Sequence, residues 1–224
     1  GGFIMKKKIL VGFLLAVLVI ALAALPSILK QNTLNDDIPA VDDNMVRVRV
    51  AGVNGVVFDE ITDASASVYA IDLLNQAVGQ ENVVYKDSFI NSVMGVEGVV
   101  FYTVKNGVYE APAVSVAEYP IAGLDEIVFY NYNLAPMAVK ADKNDDKIEL
   151  TVTKAEFDTN FVIVGWQPLA GAMAELDGQT ASTDAQGKAV LTATSNTNKI
   201  KVYAKDASGN HVTVPVNLTI GNEK

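Results

Sequence analysis

Cysteine is absent, and histidine and tryptophan occur once each. Without cysteine there is no disulfide, no thiolate metal site, no cysteine nucleophile and no lipid-modified cysteine anchor. One histidine, His211, rules out a histidine metal cluster within a single chain. His211 sits among Asn210, Val212 and Thr213, with no nucleophile elbow or oxyanion-hole pattern beside it, and no G-x-S-x-G motif occurs. It reads as an exposed histidine at a strand start. Asp125 and Glu126 adjoin, but neighbours on a strand point to opposite faces, so they do not form an acid pair on one substrate. Asp142 to Asp146 has the acidity of a calcium loop. Counting from Asp142, however, Lys147 stands where an EF-hand needs glycine and Thr153 where it needs a bidentate glutamate. The expectation is a non-catalytic chain with no metal site of its own.

Positive charge is scarce too. Seventeen Lys and Arg face 26 Asp and Glu, a net charge of −9. A surface of that sign repels nucleic acid, so no nucleic-acid partner is expected.

Against these absences stands one long apolar run. Residues 1–4 precede Met5 and read as a cloning scar or an upstream extension. Lys6, Lys7 and Lys8 then flank an uncharged stretch from Ile9 to Leu29, about 21 residues, long enough to cross a bilayer core as a helix. Residues 5–29 are thus a signal peptide or a membrane anchor. Ala21-Leu22-Ala23 fits a signal-peptidase site, and the length fits an uncleaved anchor. Lysines before the run and Asp36, Asp37, Asp42 and Asp43 after it direct the amino terminus to the cytoplasm and the remainder outside it. Residues 30–44, polar and acidic with Pro39, read as a tether.

Two β-rich modules follow, over 45–134 and 135–224. Met45 to Val50 alternates with period two, Val46, Val48 and Val50 on one face and Arg47 and Arg49 on the other. Asn54-Gly55 then predicts a two-residue hairpin turn into Val56-Val57-Phe58. Ser65 or Ser67 is the expected cap of a helix burying Ala70, Ile71, Leu74, Ala77 and Val78, with Gly79 ending it. Strand patterns return at 82–85, 89–94 and 99–104, a second Asn-Gly at Asn106-Gly107 predicts a hairpin, and Glu126 to Tyr130 closes the module. Hairpin, helix and further strands fit one helix packed across a mixed sheet, an α+β, β-grasp-like arrangement. In the second module, 133–146 reads as an exposed junction. Ile148, Leu150 and Val152 alternate with polar residues, Phe161 to Val164 reads as a buried run, and Asp177-Gly178 and Asp184 to Gly187 signal turns. Short strands at such spacing predict an all-β sandwich, with Trp166 in its core.

Some of these residues also carry family resemblances. Ala70-Ile71-Asp72-Leu73-Leu74, Phe89-Ile90 before Gly95, Tyr102 to Gly107 and Asp125 to Phe129 resemble the carboxy-terminal domain of transcobalamin and intrinsic factor, a domain also carried by prokaryotic surface proteins. Leu124 separates Gly123 from the Asp-Glu-Ile element, where that family often has glycine directly before it. The resemblance implies a β-grasp module on an extracytoplasmic protein. In the vitamin carriers the domain covers one side of a corrinoid held mainly by a helical domain. This chain carries no such helical domain, so it is not expected to bind a corrinoid alone. Pro168 to Ala172 and Thr183 to Ala189 resemble bacterial immunoglobulin-like modules, which serve as spacers or adhesion units.

Tyrosines are the one chemically suggestive group. Tyr102, Tyr109, Tyr119 and Tyr132 fall in the later part of the first module, with Tyr130 beside them, and aromatics anchor sugars, rings and partner chains. Those four are the candidate ligand-binding residues. The functional expectation is a secreted or membrane-anchored binding and adhesion protein that engages a small molecule, a glycan or a surface protein. Its alternative is a purely structural surface spacer or assembly subunit.

Overall fold

The computed structural model describes residues 44–86 and 89–221. The apolar run and the tether, apart from Asn44, lie outside the described residues. Among the described residues no helix is long and apolar enough to cross a membrane. The described chain is mainly β, with several sheets and one α-helix.

The first sheet is built around β1 (Met45–Gly52) and β8 (Glu126–Asn131), which lie side by side and parallel. Strand β2 (Gly55–Asp63) pairs antiparallel on the outer side of β1. Strand β6 (Val99–Lys105) and then β7 (Val108–Glu110) continue beyond β8, giving the order β2-β1-β8-β6-β7. The valine alternation in β1 is explained by what covers that face. Val46, Val48 and Val50 pack with Ile127, Phe129 and the helix α1 (Ala70–Val78). Helix residues Ala70, Leu73, Leu74 and Val78 are buried, and the two leucines and the valine each contribute roughly 1.5–3 kcal/mol by leaving water. A small sheet of β3 (Val83–Lys86), β4 (Phe89–Val93) and β5 (Val96–Glu97) completes this side.

The two Asn-Gly pairs behave differently. Asn106 and Gly107 have φ of 50° and 71° and sit between the paired residues Lys105 and Val108, the two positive angles that a type I′ turn requires. In the first hairpin Gly52 pairs with Gly55, so Val53 and Asn54 form the turn and Gly55 (φ 126°) begins β2. The turn lies one residue earlier than the Asn-Gly signal predicts, and a bulge at Val50/Ala51 restores the register. Neither Ser65 nor Ser67 caps the helix. The helix starts after Tyr69, and the Asp72 carboxylate reaches back to accept the N–H groups of Tyr69 (3.0 Å) and Val68 (3.3 Å).

In the second module β10 (Lys147–Phe157) is the long central strand. Strand β9 (Met137–Asn144) pairs along one edge; β14 (Lys188–Thr192) and β11 (Ile163–Pro168) share the other. Val152 is the point of exchange between them, donating to Gly187 O at 2.8 Å and accepting from Leu169 N at 3.0 Å. A Cβ at Gly187 would stand 2.3 Å from Val152 O, so only glycine fits. The facing sheet has the order β13-β12-β15-β16, with β12 (Met173–Leu176), β13 (Gln179–Ser182), β15 (Thr197–Tyr203) and β16 (Val216–Gly221). Ile148, Leu150, Val152, Leu176, Ile200 and Val202 fill the space between the sheets.

Three expectations for this module are corrected. The segment 133–146 is not an exposed junction, because Met137, Ala138 and Val139 are buried in β9. Phe161 to Val164 is not a buried run: Phe161 is 80 % exposed in a loop at positive φ, and Val164 lies exposed on β11, which pairs with β10. Trp166 lies outside the sandwich core and meets Tyr109 of the first module edge-on at 4.9 Å.

Candidate ligand-binding cleft

The face of the first sheet opposite α1 carries the arginines of β1, and the second module covers it. Arg49 is buried there beside Glu126, which is 1 % exposed. Its guanidinium donates to the Glu126 carboxylate, to Pro215 O (2.7 Å) and to the Tyr102 hydroxyl (3.1 Å). Burial alone would lower the Arg49 pKa, but the facing Glu126 carboxylate outweighs it and raises it. Arg47 makes two bonds to Asp59 (2.7 and 2.9 Å), and Asn217 of β16 adds a third to that carboxylate at 3.3 Å. Burial would raise the Asp59 pKa; the hydrogen bonds and charge of Arg47 overcome this and lower it. A ladder of rings continues the contact, Tyr130 to Tyr102 (5.5 Å), Tyr102 to Tyr109 (5.7 Å) and Tyr109 to Trp166. These aromatics join two modules.

The four candidate tyrosines are therefore not brought together as one face. Tyr102 is 0 % exposed, and burial raises its hydroxyl pKa. Tyr109 is half-buried against Trp166. Tyr119 lies on the helix side, edge-on to Phe101 at 5.7 Å, its hydroxyl within 3.0 Å of Thr103 Oγ1 and donating to Glu110 at 3.1 Å. Only Tyr132 presents its ring to solvent, at 66 % exposure. His211 is likewise not the exposed histidine its neighbours suggest. It is 5 % exposed, donates its backbone N–H to Val53 O at 2.8 Å, and meets Tyr203 edge-on at 5.5 Å.

Tyr132 stands on the wall of an apolar cleft of about 870 Å³, within the size range of small-ligand sites. One wall is the start of β6 with the end of β8, and a second is β4 and the segment 111–116. Phe157, Phe161 and Val212 of the second module lie across from them. Phe89, Val100, Val114 and Phe161 leave their side chains open to solvent here. Tyr132 is held by its backbone N–H to Gly98 O (3.0 Å). A Cβ at Gly98 would lie 2.5 Å from the Tyr132 ring, so the ring rests directly on glycine.

The polar side chains of the lining are Asn91, Ser115, Tyr130, Tyr132, Asn133 and Asp158. Tyr130 is 4 % exposed, and burial raises its hydroxyl pKa. Asp158 is the one charged residue among the described residues that line the cleft. Its Oδ1 accepts the N–H groups of Asn160 (2.8 Å) and Val162 (2.9 Å), and the Val162 bond chiefly holds its carboxyl below the usual range. That Asp-Thr-Asn turn is the sequence signal that places Phe161 in a loop, since such side chains close turns on their own backbone. Phe89, Val100 and Val114 have no comparable signal. The segments that carry them meet only in the folded chain.

Comparison of the chain with protein-family models, with curated proteins and with solved structures finds no match.

Proposed function

We propose that this chain is a non-catalytic extracytoplasmic binding protein whose ligand occupies the cleft beside Tyr132. The carrying observation is the cleft itself: several large apolar side chains left open to water around one concavity. Exposed apolar surface gathered in one place is costly to solubility and marks a binding site. Membrane attachment or secretion through residues 5–29 belongs to the same reading and rests on the sequence.

The finer architecture is part of this proposal. A β-grasp-like first module is supported by its central parallel pair of first and last strands, the hairpin beside them and a single helix across one face. An immunoglobulin-like second module is supported by its two facing sheets. The alternative, a structural spacer, draws support from the bonds that cross between the modules, Arg49 to Pro215 O (2.7 Å) and Asn217 to the Asp59 carboxylate (3.3 Å).

The test is a thermal-shift screen of the chain against apolar small molecules, corrinoids, glycans and peptidoglycan fragments, beside Val100→Trp, which fills the cleft. A ligand at a hundredfold its Kd adds about 2.7 kcal/mol of stability. The expected result is a shift with one class that Val100→Trp or Val114→Trp abolishes. Equal shifts in all three proteins, or none in any, would overturn the cleft as a site.

A further inference from the structure

The register of β6 says more about what the cleft accepts. Lys105 and Val108 flank the two-residue turn, so they form a hydrogen-bonded pair, and the pattern alternates from there. Thr103 therefore also directs its backbone groups to β7, and Phe101 and Val99 direct theirs the same way. The other side agrees: Val104 O accepts from Asp125 N at 2.9 Å, so the even-numbered residues face β8. Strand β7 ends its pairing at Glu110, opposite Thr103. Beyond it the backbone of β6 at Phe101 and Val99 has no strand partner on that side among the described residues, as far as Gly98, whose N–H is bonded to Asn91 O of β4 at 3.0 Å. Residues 111–116 pass along the cleft without forming a strand.

The cleft thus offers unpaired strand backbone at the same place as apolar surface. An open edge is a template for a further strand, which gains affinity from main-chain bonds and selectivity from alternate side chains. Phe89, Val100 and Phe161 provide apolar contacts for such side chains. Charge selects further. Asp158 is the single charged lining residue among those described, its Oδ1 is taken by backbone while Oδ2 has only a 3.5 Å contact from Asn160, and the whole chain is at −9. Its complement is a cation.

We propose that the cleft binds an extended peptide segment of a partner protein, with alternating apolar side chains and a Lys or Arg, added as a strand to the open edge of β6 at Val99 and Phe101. This rests on the cleft being the ligand site and names the class of ligand it takes.

The experiment is selection of a random 12-residue phage-displayed peptide library on the full chain, followed by resynthesis of the enriched peptide with single backbone N-methyl groups. N-methylation removes a donor and leaves every side chain in place. The expected result is an enriched alternating apolar peptide carrying a cation. Its Kd should rise on the order of tenfold at the two N-methyl positions, two residues apart, whose N–H groups meet Val99 O and Phe101 O, the equivalent of one lost hydrogen bond each, and by less than about twofold elsewhere. Asp158→Asn should weaken the cationic peptide and leave its norleucine analogue unchanged. No enrichment, or a flat N-methyl profile, would overturn the proposal. If a small apolar ligand still shifts the wild type and not Val100→Trp, only the peptide inference falls. If both fail, the cleft reading falls with it.

Discussion

Replacing Arg49 by methionine removes the cation from a closed site and leaves Glu126, at 1 % exposure, facing carbon. Three acceptors lose their donor at once: the Glu126 carboxylate, Pro215 O and the Tyr102 hydroxyl. Breaking a buried pair from one side costs roughly 3–5 kcal/mol, because the remaining charge is desolvated without compensation. For a domain pair of this size about 3 kcal/mol lowers the Tm by roughly 6–12 °C. The pair as a whole is worth far less than that figure, since bringing both charges out of water opposes their attraction. The double variant Arg49→Met/Glu126→Leu is therefore expected to recover most of the loss. The assay is urea unfolding of the wild type, both single variants and the double, monitored by the fluorescence of Trp166, which lies at the same junction. A loss below about 1 kcal/mol for Arg49→Met would refute the reasoning. So would a double variant whose cost equals the sum of the singles, because the cycle would then show no coupling.

Two further outcomes follow from the described geometry. The turns differ in what they require of asparagine: Asn106 holds φ at 50°, whereas Asn54 is not in the left-handed region. Asn106→Ala is expected to cost about 1 kcal/mol and Asn54→Ala less than about 0.5 kcal/mol by chemical denaturation, and equal costs would show that the two hairpins turn alike. His211 has its pKa lowered from 6.5, first by burial and then by Lys205 and Lys201. A lowered base binds its proton more weakly folded than unfolded, so its contribution is fully present above pH 6.5 and is lost as pH falls below it. Tm measured downward from pH 7 should decline in the wild type and less in His211→Phe; parallel curves would place His211 outside the pH response.

Much of the local structure was legible because its causes are local. The valines of β1 alternate because a strand presents every second residue to one face. Asn106-Gly107 turns because those residues tolerate positive φ. The helix face at Ala70, Leu74 and Val78 follows the helical period. Where neighbouring residues compete for the same role, the chain pattern was less decisive. Val53-Asn54 rather than Asn54-Gly55 makes the first turn, and Asp72 rather than a serine closes the helix start.

The sequence by itself determined a mainly β chain with one short helix, an acidic charge balance and no cysteine chemistry, since these depend on composition and on intervals of two to four residues. Only the tertiary structure decided the roles of the conspicuous side chains. Arg49 reads as a solvent-facing strand residue until the second module covers that face and makes it a buried cation paired with Glu126. Tyr102 and Tyr109 read as a binding face until Trp166 arrives beside them. Phe89, Val100 and Phe161 are scattered along the chain and become one cleft only when β4, β6 and the loop before β11 meet. Burial is a property of what packs against a residue from elsewhere in the chain, and no short-range pattern encodes it.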